Sequence, residues 1–122
     1  MIRVLLVEDD PVIQDTTRYF LNSQQNYEVV CAETGGEALS HARENFDVIL
    51  MDILLPDTNG MDLCQRLRSW HHCPIIFTSC LDDTDTVVRA LELGGDDFLA
   101  KPYNHKVLLA RIMANIRRVQ MD

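Results

Sequence analysis

Five short apolar, largely β-branched runs recur along this chain, and a longer stretch separates each from the next. The runs are Val4-Leu5-Leu6-Val7, Tyr27-Glu28-Val29-Val30-Cys31, Val48-Ile49-Leu50-Met51, Ile75-Ile76-Phe77 and the weaker Phe98-Leu99-Ala100. Apolar runs of this length suit strands buried on both faces, as in a parallel sheet. Between and after them, residues repeat at the spacing of one helix face. Ile13, Thr16, Thr17 and Phe20 do so, as do Thr84, Val87, Val88 and Leu91, and Leu109, Ile112, Met113 and Ile116. The punctuation agrees. Asp10-Pro11 reads as a helix N-cap with proline at the first helical position. Thr34 can cap the next helix, Asn59-Gly60 reads as a turn, and Gly94-Gly95 ends the helix that begins near Thr84. This predicts five βα units in an α/β sandwich, with right-handed crossovers and helices on both faces.

The remaining bulk properties narrow the function classes. A chain of 122 residues, 47 % hydrophobic and 25 % charged, makes one domain with a core that needs no disulfide staples. Nineteen acidic against eleven basic residues give a net charge of −8, which repels nucleic acid, so any DNA contact belongs to a separate domain. No apolar run approaches the roughly 20 residues of a membrane span. The opening Met1-Ile2-Arg3-Val4 meets Glu8 too soon for a signal peptide. Cys31, Cys64, Cys73 and Cys80 show no CxxC spacing and read as reduced thiols of a cytoplasmic protein. His71-His72-Cys73 with Cys64 has the wrong spacing for a zinc finger.

In a parallel α/β sheet the ligand site lies beyond the carboxyl ends of the strands. The residues that follow the strands are therefore the ones to compare. The first strand ends in Glu8-Asp9-Asp10, the third in Asp52, the fourth in Thr78-Ser79 and the fifth in Lys101-Pro102. The second, ending in Ala32-Glu33-Thr34, carries no comparable cluster. Asp10 is expected to serve only as the helix cap. Carboxylates crowded together repel and raise one another's pKa values, and a hard divalent cation relieves this. With Lys101 as a positive charge and the Thr78 hydroxyl as a donor, the group forms a site for a phosphoryl group, and a carboxylate there can itself be the nucleophile.

The arrangement resembles the receiver domain of two-component response regulators (CheY-like fold) over essentially the whole chain. The matching stretches are Leu6-Val7-Glu8-Asp9-Asp10, Met51-Asp52-Ile53-Leu54-Leu55-Pro56-Asp57-Thr58-Asn59-Gly60, Ile76-Phe77-Thr78-Ser79, and Gly94-Gly95-Asp96-Asp97-Phe98-Leu99-Ala100-Lys101-Pro102-Tyr103. The resemblance implies a doubly wound five-stranded parallel sheet of order 2-1-3-4-5. It implies that Asp52 is the phosphoacceptor, served by a sensor histidine kinase. Asp9, Asp52 and the main-chain carbonyl of Leu54 would bind Mg²⁺ (or Mn²⁺), with Glu8 acting through water. Thr78, Ser79 and Lys101 would meet the phosphoryl group. Thr78 and Phe98 match the paired switch positions, and the Lys101–Pro102 bond is expected to be cis. The chain would not be an enzyme, beyond self-phosphorylation from small phosphodonors and slow loss of the group. No Walker-type glycine loop is present, as suits a chain that takes its phosphoryl group from another protein.

Arg89-Ala90-Leu91-Glu92, Asp96-Asp97 and Ala110-Arg111-Ile112 further resemble receivers joined to winged-helix transcription factors. A C-terminal DNA-binding domain is thus expected to follow residues 1–122. Such receivers form homodimers through the fourth helix, fifth strand and fifth helix, where Arg89, Glu92, Asp96, Asp97, Arg111 and Arg118 can supply charged pairs. Val87 and Val107 depart from that pattern and suggest one apolar contact in place of an ionic one. Leu54 and Cys80 occupy positions that influence dephosphorylation, and neither readily positions an attacking water, which predicts a long-lived phosphoryl-Asp52. Cys80 is expected to be buried and inert, and His41 and His105 to lie on the surface. The Met and Leu positions of helices three and five are expected in the core, and Trp70-His71-His72 to close the third helix.

Three competitors fit less well. An aspartyl-nucleophile phosphohydrolase usually carries a second Asp where this chain has Leu54. A flavin carrier needs a hydroxyl-rich loop where this chain has three acids, which would repel the flavin phosphate. A receiver-like module that works without phosphorylation tends to lack one of the acids, the Thr or the Lys, all of which are retained.

Overall fold

The structure, a computed structural model, describes residues 1–121. The elements alternate in the expected order: β1 (Ile2–Val7), α1 (Pro11–Asn22), β2 (Tyr27–Ala32), α2 (Gly35–Ser40), β3 (Val48–Asp52), α3 (Gly60–Leu67), β4 (Ile75–Ser79), α4 (Thr84–Glu92), β5 (Asp97–Ala100) and α5 (His105–Met121). All four strand pairings are parallel, in the order β2-β1-β3-β4-β5. The chain order reverses between β1 and β3, and this is the switch point where a cleft opens at the carboxyl edge.

Alternate side chains of the buried strands feed two cores. Leu5, Val7, Ile49, Met51, Ile75 and Phe77 pack beneath α2, α3 and α4, together with Ala38, Leu63, Cys64, Leu67 and Ala90. Val4, Leu6, Val48, Leu50, Ile76 and Leu99 pack beneath α1 and α5, with Leu21, Leu108 and Ile112. Helices thus cover both faces. Among the described residues, none of them is long and apolar enough to cross a membrane.

Local chemistry explains the helix ends. Asp10 Oδ1 accepts the N–H groups of Val12 and Ile13, so it caps α1 as expected. Thr34 caps α2 and Asp83 caps α4. Asn59-Gly60 is a helix start as well as a turn, because the Asn59 side chain accepts Met61 N–H and Gly60 is the first residue of α3. Gly94 takes φ +116° after α4, where its neighbour Gly95 donates back to Ala90 O at 3.1 Å.

Several sequence expectations are corrected. The core stripe of α1 is Gln14, Thr17 and Leu21, while Thr16 is exposed. That of α5 is Leu108, Ile112 and Asn115, while Met113 is exposed. In α4 only Ala90 is buried, and Val88 and Leu91 face outward. Cys80 is exposed, since the chain leaves the sheet immediately after Ser79. α3 closes at Leu67, and the segment after it divides, with Trp70 exposed and His71 buried against Phe46. His105 is half-buried and stacks on Phe20 with ring centroids 5.2 Å apart. His41 is also half-buried and pairs with Glu44. Met61, Leu63, Leu67 and Leu108 do lie in the core.

Candidate functional site

The strand ends bring the expected groups to one edge of the sheet. The Glu8 N–H continues the β1–β2 ladder by bonding Ala32 O at 2.9 Å. Glu8 is thereby carried inward and is only 1 % exposed, whereas Asp9 faces solvent. Asp52 closes β3, and its register partner on β4 is Thr78. Both are buried. One carboxylate oxygen from each of Glu8, Asp9 and Asp52 lies within 4.8 Å of the others.

Lys101 enters from the end of β5. Its main-chain N–H bonds Ser79 O at 2.9 Å, and its peptide bond to Pro102 is cis. The Nζ sits between the buried acids, 2.9 Å from Asp52 Oδ2 and 2.5 Å from Glu8 Oε1. The first contact is an aligned hydrogen bond. The second is an ion pair outside hydrogen-bond alignment, which leaves the buried Glu8 Oε1 without an aligned donor. Glu8 Oε2 accepts the Asp10 N–H at 3.1 Å, and Asp52 Oδ1 accepts the Leu54 N–H at 3.2 Å.

Burial dominates the electrostatics of Glu8. It pushes the carboxyl up to about 7, against the opposing pull of Lys101 and the Asp10 N–H. Burial also works against the charge on Lys101, but Glu8 and Asp52 together outweigh it and hold the ammonium above its ordinary value. One cation faces three carboxylates. The donor set is all oxygen, opens to solvent through Asp9, and contains an oxygen with no aligned donor, all of which fit a hard divalent ion such as Mg²⁺.

The other expected residues fall into distinct settings. The Ser79 hydroxyl accepts the Leu81 N–H at 3.0 Å, which ties down the start of the β4–α4 loop. Leu54 is 53 % exposed, and Phe98 is half-buried against the α2–α3–α4 core. On the α4–β5–α5 side, Asp97 pairs with Arg111 at 2.8 Å, and Asp96 pairs with Arg118 at 3.1 Å and Arg68 at 2.7 Å. These charges are engaged within the chain, whereas Val107 stands exposed and Val87 half-exposed on the same side. Arg89 and Glu92 lie on the exposed surface of α4.

Two residues beyond the expected set shape the site. Gln14, buried on α1, donates from Nε2 to Glu8 O at 3.0 Å and holds the acidic turn. Gly60 packs against the main chain of Asp52, where a Cβ would lie 2.0 Å from its carbonyl oxygen. A cavity of about 720 Å³ lies elsewhere, between the second half of α1 and His105, and none of the three carboxylates lines it.

The fold is a doubly wound parallel α/β domain with three acids and a lysine at the carboxyl edge of its sheet, and comparison with known proteins makes the family definite. Residues 4–113 match the response regulator receiver domain family, and the chain belongs to it. Solved structures agree. A two-component response regulator from Clostridium difficile is 29 % identical over 98 % of each chain, with a TM-score of 0.92. The BeF3-activated N-terminal receiver domain of RstA from Klebsiella pneumoniae is 34 % identical, over 94 % of this chain and 98 % of that one, at 0.87. A response regulator from Burkholderia pseudomallei with a phosphorylated aspartic acid, calcium ion and citrate is 28 % identical, over 99 % of this chain and 72 % of that one, at 0.86.

Proposed function

We propose that the chain is the phosphoryl-accepting switch of a two-component pathway, with Asp52 as the acceptor and a sensor histidine kinase as the donor. The observation that carries this reading is the placement of Lys101 Nζ between Glu8 and Asp52, with Thr78 in register beside the acceptor.

An Asp52 carboxylate oxygen attacks the phosphorus of a phosphohistidine. The P–N bond breaks, the imidazole leaves with the electron pair, and Asp52 becomes an acyl phosphate. Lys101 offsets the charge on the phosphoryl oxygens and Thr78 donates its hydroxyl to one of them. Glu8, Asp9, Asp52 and the Leu54 carbonyl would hold Mg²⁺, which when bound supplies further charge neutralisation for the transferring group. Ser79 serves the same pocket by fixing the loop that follows Thr78.

Movement of Thr78 toward the new oxygens makes room for Phe98 to turn inward, and the α4–β5–α5 face changes its partner. A homodimer formed there places Val87 and Val107 in apolar contact, supported by Arg89 and Glu92, while Asp96, Asp97, Arg111 and Arg118 exchange or extend the pairs they already make. A DNA-binding domain following this one would carry the output in the cytoplasm. Leu54 and Cys80 make the phosphoryl group long-lived.

Intact-mass spectrometry after incubation with acetyl phosphate and Mg²⁺ tests the reading. One phosphoryl group is expected on the wild type, none on Asp52→Asn and none when Mg²⁺ is withheld. A wild type that takes neither the phosphoryl group nor beryllofluoride overturns it in favour of a phosphorylation-independent interaction module.

A further inference from the structure

The end of β2 supplies no ligand to the acidic cluster, yet it is tied to the loop that follows Asp52. Asp57 lies in that loop, which spans residues 53–59. Its carboxylate accepts two main-chain N–H groups at the start of α2, Gly35 N–H on Oδ1 at 2.8 Å and Gly36 N–H on Oδ2 at 3.0 Å. Thr34 Oγ1 takes the next one, Glu37 N–H, at 3.1 Å. Gly35 makes the approach possible, since a Cβ there would fall 2.5 Å from Thr58 Cγ2. The base of the same loop is fixed by Gly60 N–H on Ile53 O at 2.7 Å and by the Leu54–Asn59 bridge. Leu54 sits between these anchors and donates to Asp52 Oδ1.

α2 has six residues, too few to be stable alone in water, so its start and the loop hold one another. The two N–H groups also keep the Asp57 carboxyl below the usual carboxylate range, so the clamp stays charged near neutral pH.

We propose that Asp57 is a positioning residue for the phosphoacceptor site. By clamping the loop to Gly35 and Gly36, it fixes Leu54 beside Asp52 and so sets the oxygen group that takes the divalent cation. This rests on the proposed function. Asp57 acts through Leu54 and touches neither the cation nor the phosphoryl group.

The test is calorimetric titration of the metal-free protein with Mg²⁺, alongside the Leu54 amide resonance recorded without Mg²⁺. Asp57→Ala is expected to weaken Mg²⁺ binding about ten-fold, the scale for groups that hold metal ligands in place. Asp57→Asn, whose amide oxygen still accepts one N–H, is expected to lose less and serves if the alanine variant does not fold. Thr34→Ala removes a cap from α2 without cutting the clamp, and is expected to leave Mg²⁺ affinity at the wild-type value while lowering Tm. Unchanged affinity in Asp57→Ala overturns the proposal. So does an equal loss in Thr34→Ala, which would assign the effect to α2 stability. A wild type that binds no Mg²⁺ overturns the functional reading instead. In that case a shifted Leu54 amide in Asp57→Asn supports the clamp and an unshifted one refutes it.

Discussion

Gly60→Ala sets two effects of opposite sign against each other. Gly60 is the first residue of α3, and alanine in a helix ordinarily gains about 0.5–1 kcal/mol over glycine. The structure opposes that gain. The new Cβ would lie 2.0 Å from Asp52 O, 2.9 Å from Asp52 C and 2.9 Å from Ile53 Cα. All three are main-chain atoms, so no side chain can swing away, and ordinary contact requires a separation of roughly 3.5 Å. The end of β3 or the start of α3 must then move by about 1–1.5 Å. Overpacking of this kind costs about 1–3 kcal/mol, leaving a net loss of about 1–2 kcal/mol and a fall in Tm of roughly 5 °C for a domain of this size. The displaced atoms carry Asp52, whose side chain is set by the 2.9 Å contact to Lys101 and the 3.2 Å bond from Leu54 N–H. A misplacement of about 1 Å at a reacting group costs on the order of 100-fold in rate. The assay is the initial rate of phosphorylation by acetyl phosphate with Mg²⁺, read by intact mass, beside a circular-dichroism melt. A variant that melts at or above the wild-type temperature and is phosphorylated at the wild-type rate refutes the reasoning.

Three other outcomes are expected. In metal-free protein burial pushes the Glu8 carboxyl up to about 7 when folded, against its ordinary 4.5. Its contribution is therefore full below about 4.5 and is lost as pH rises through 7. Glu8→Gln should flatten the fall in Tm over that range in EDTA, and an equally steep fall would count against the burial argument. Iodoacetamide near neutral pH should label exposed Cys80 first, and Cys73, pushed up to about 11 by burial, only on unfolding; peptide mapping that finds Cys73 labelled first contradicts this. Arg68→Ala removes bonds to Cys73 O, Gly94 O and Asp96 at the end of the sheet opposite the site. It should cost about 2 kcal/mol by denaturant melt and leave the phosphorylation rate unchanged, and a slowed rate would show that the two ends are coupled.

The strand-end residues were legible because chain order and polarity alone place them. A buried parallel strand must end somewhere, and Glu8, Asp52, Thr78 and Lys101 are the polar groups at those ends. The helix faces were less legible. Gln14 and Thr17 are buried because Gln14 donates to Glu8 O at 3.0 Å and the Thr17 and Tyr103 hydroxyls share a hydrogen bond of 2.8 Å, the second partner lying 86 residues away in the chain. Helical periodicity places Thr17 on the buried face but counts Gln14 as polar, and so includes the exposed Thr16 in its stead. The same limit applies to Asp96 and Asp97. As letters they are two acids available to a partner, whereas the fold brings Arg118 and Arg111 of α5 onto them. The pair of hydrogen bonds that Asp57 accepts from the start of α2 was hidden for the same reason, since its partners precede it by more than twenty residues.

Lys101 has a consequence for how such a domain is made. Where a site holds only like charges, their repulsion opposes folding until a metal ion offsets it, and many small metallo-domains fold only with their ion. Here the acidic corner carries a resident ammonium between its two most buried carboxylates. That internal counter-charge is expected to let the chain fold without the ion. If Mg²⁺ serves the site as proposed, a chelator is expected to abolish phosphorylation while leaving Tm near its value with the ion present.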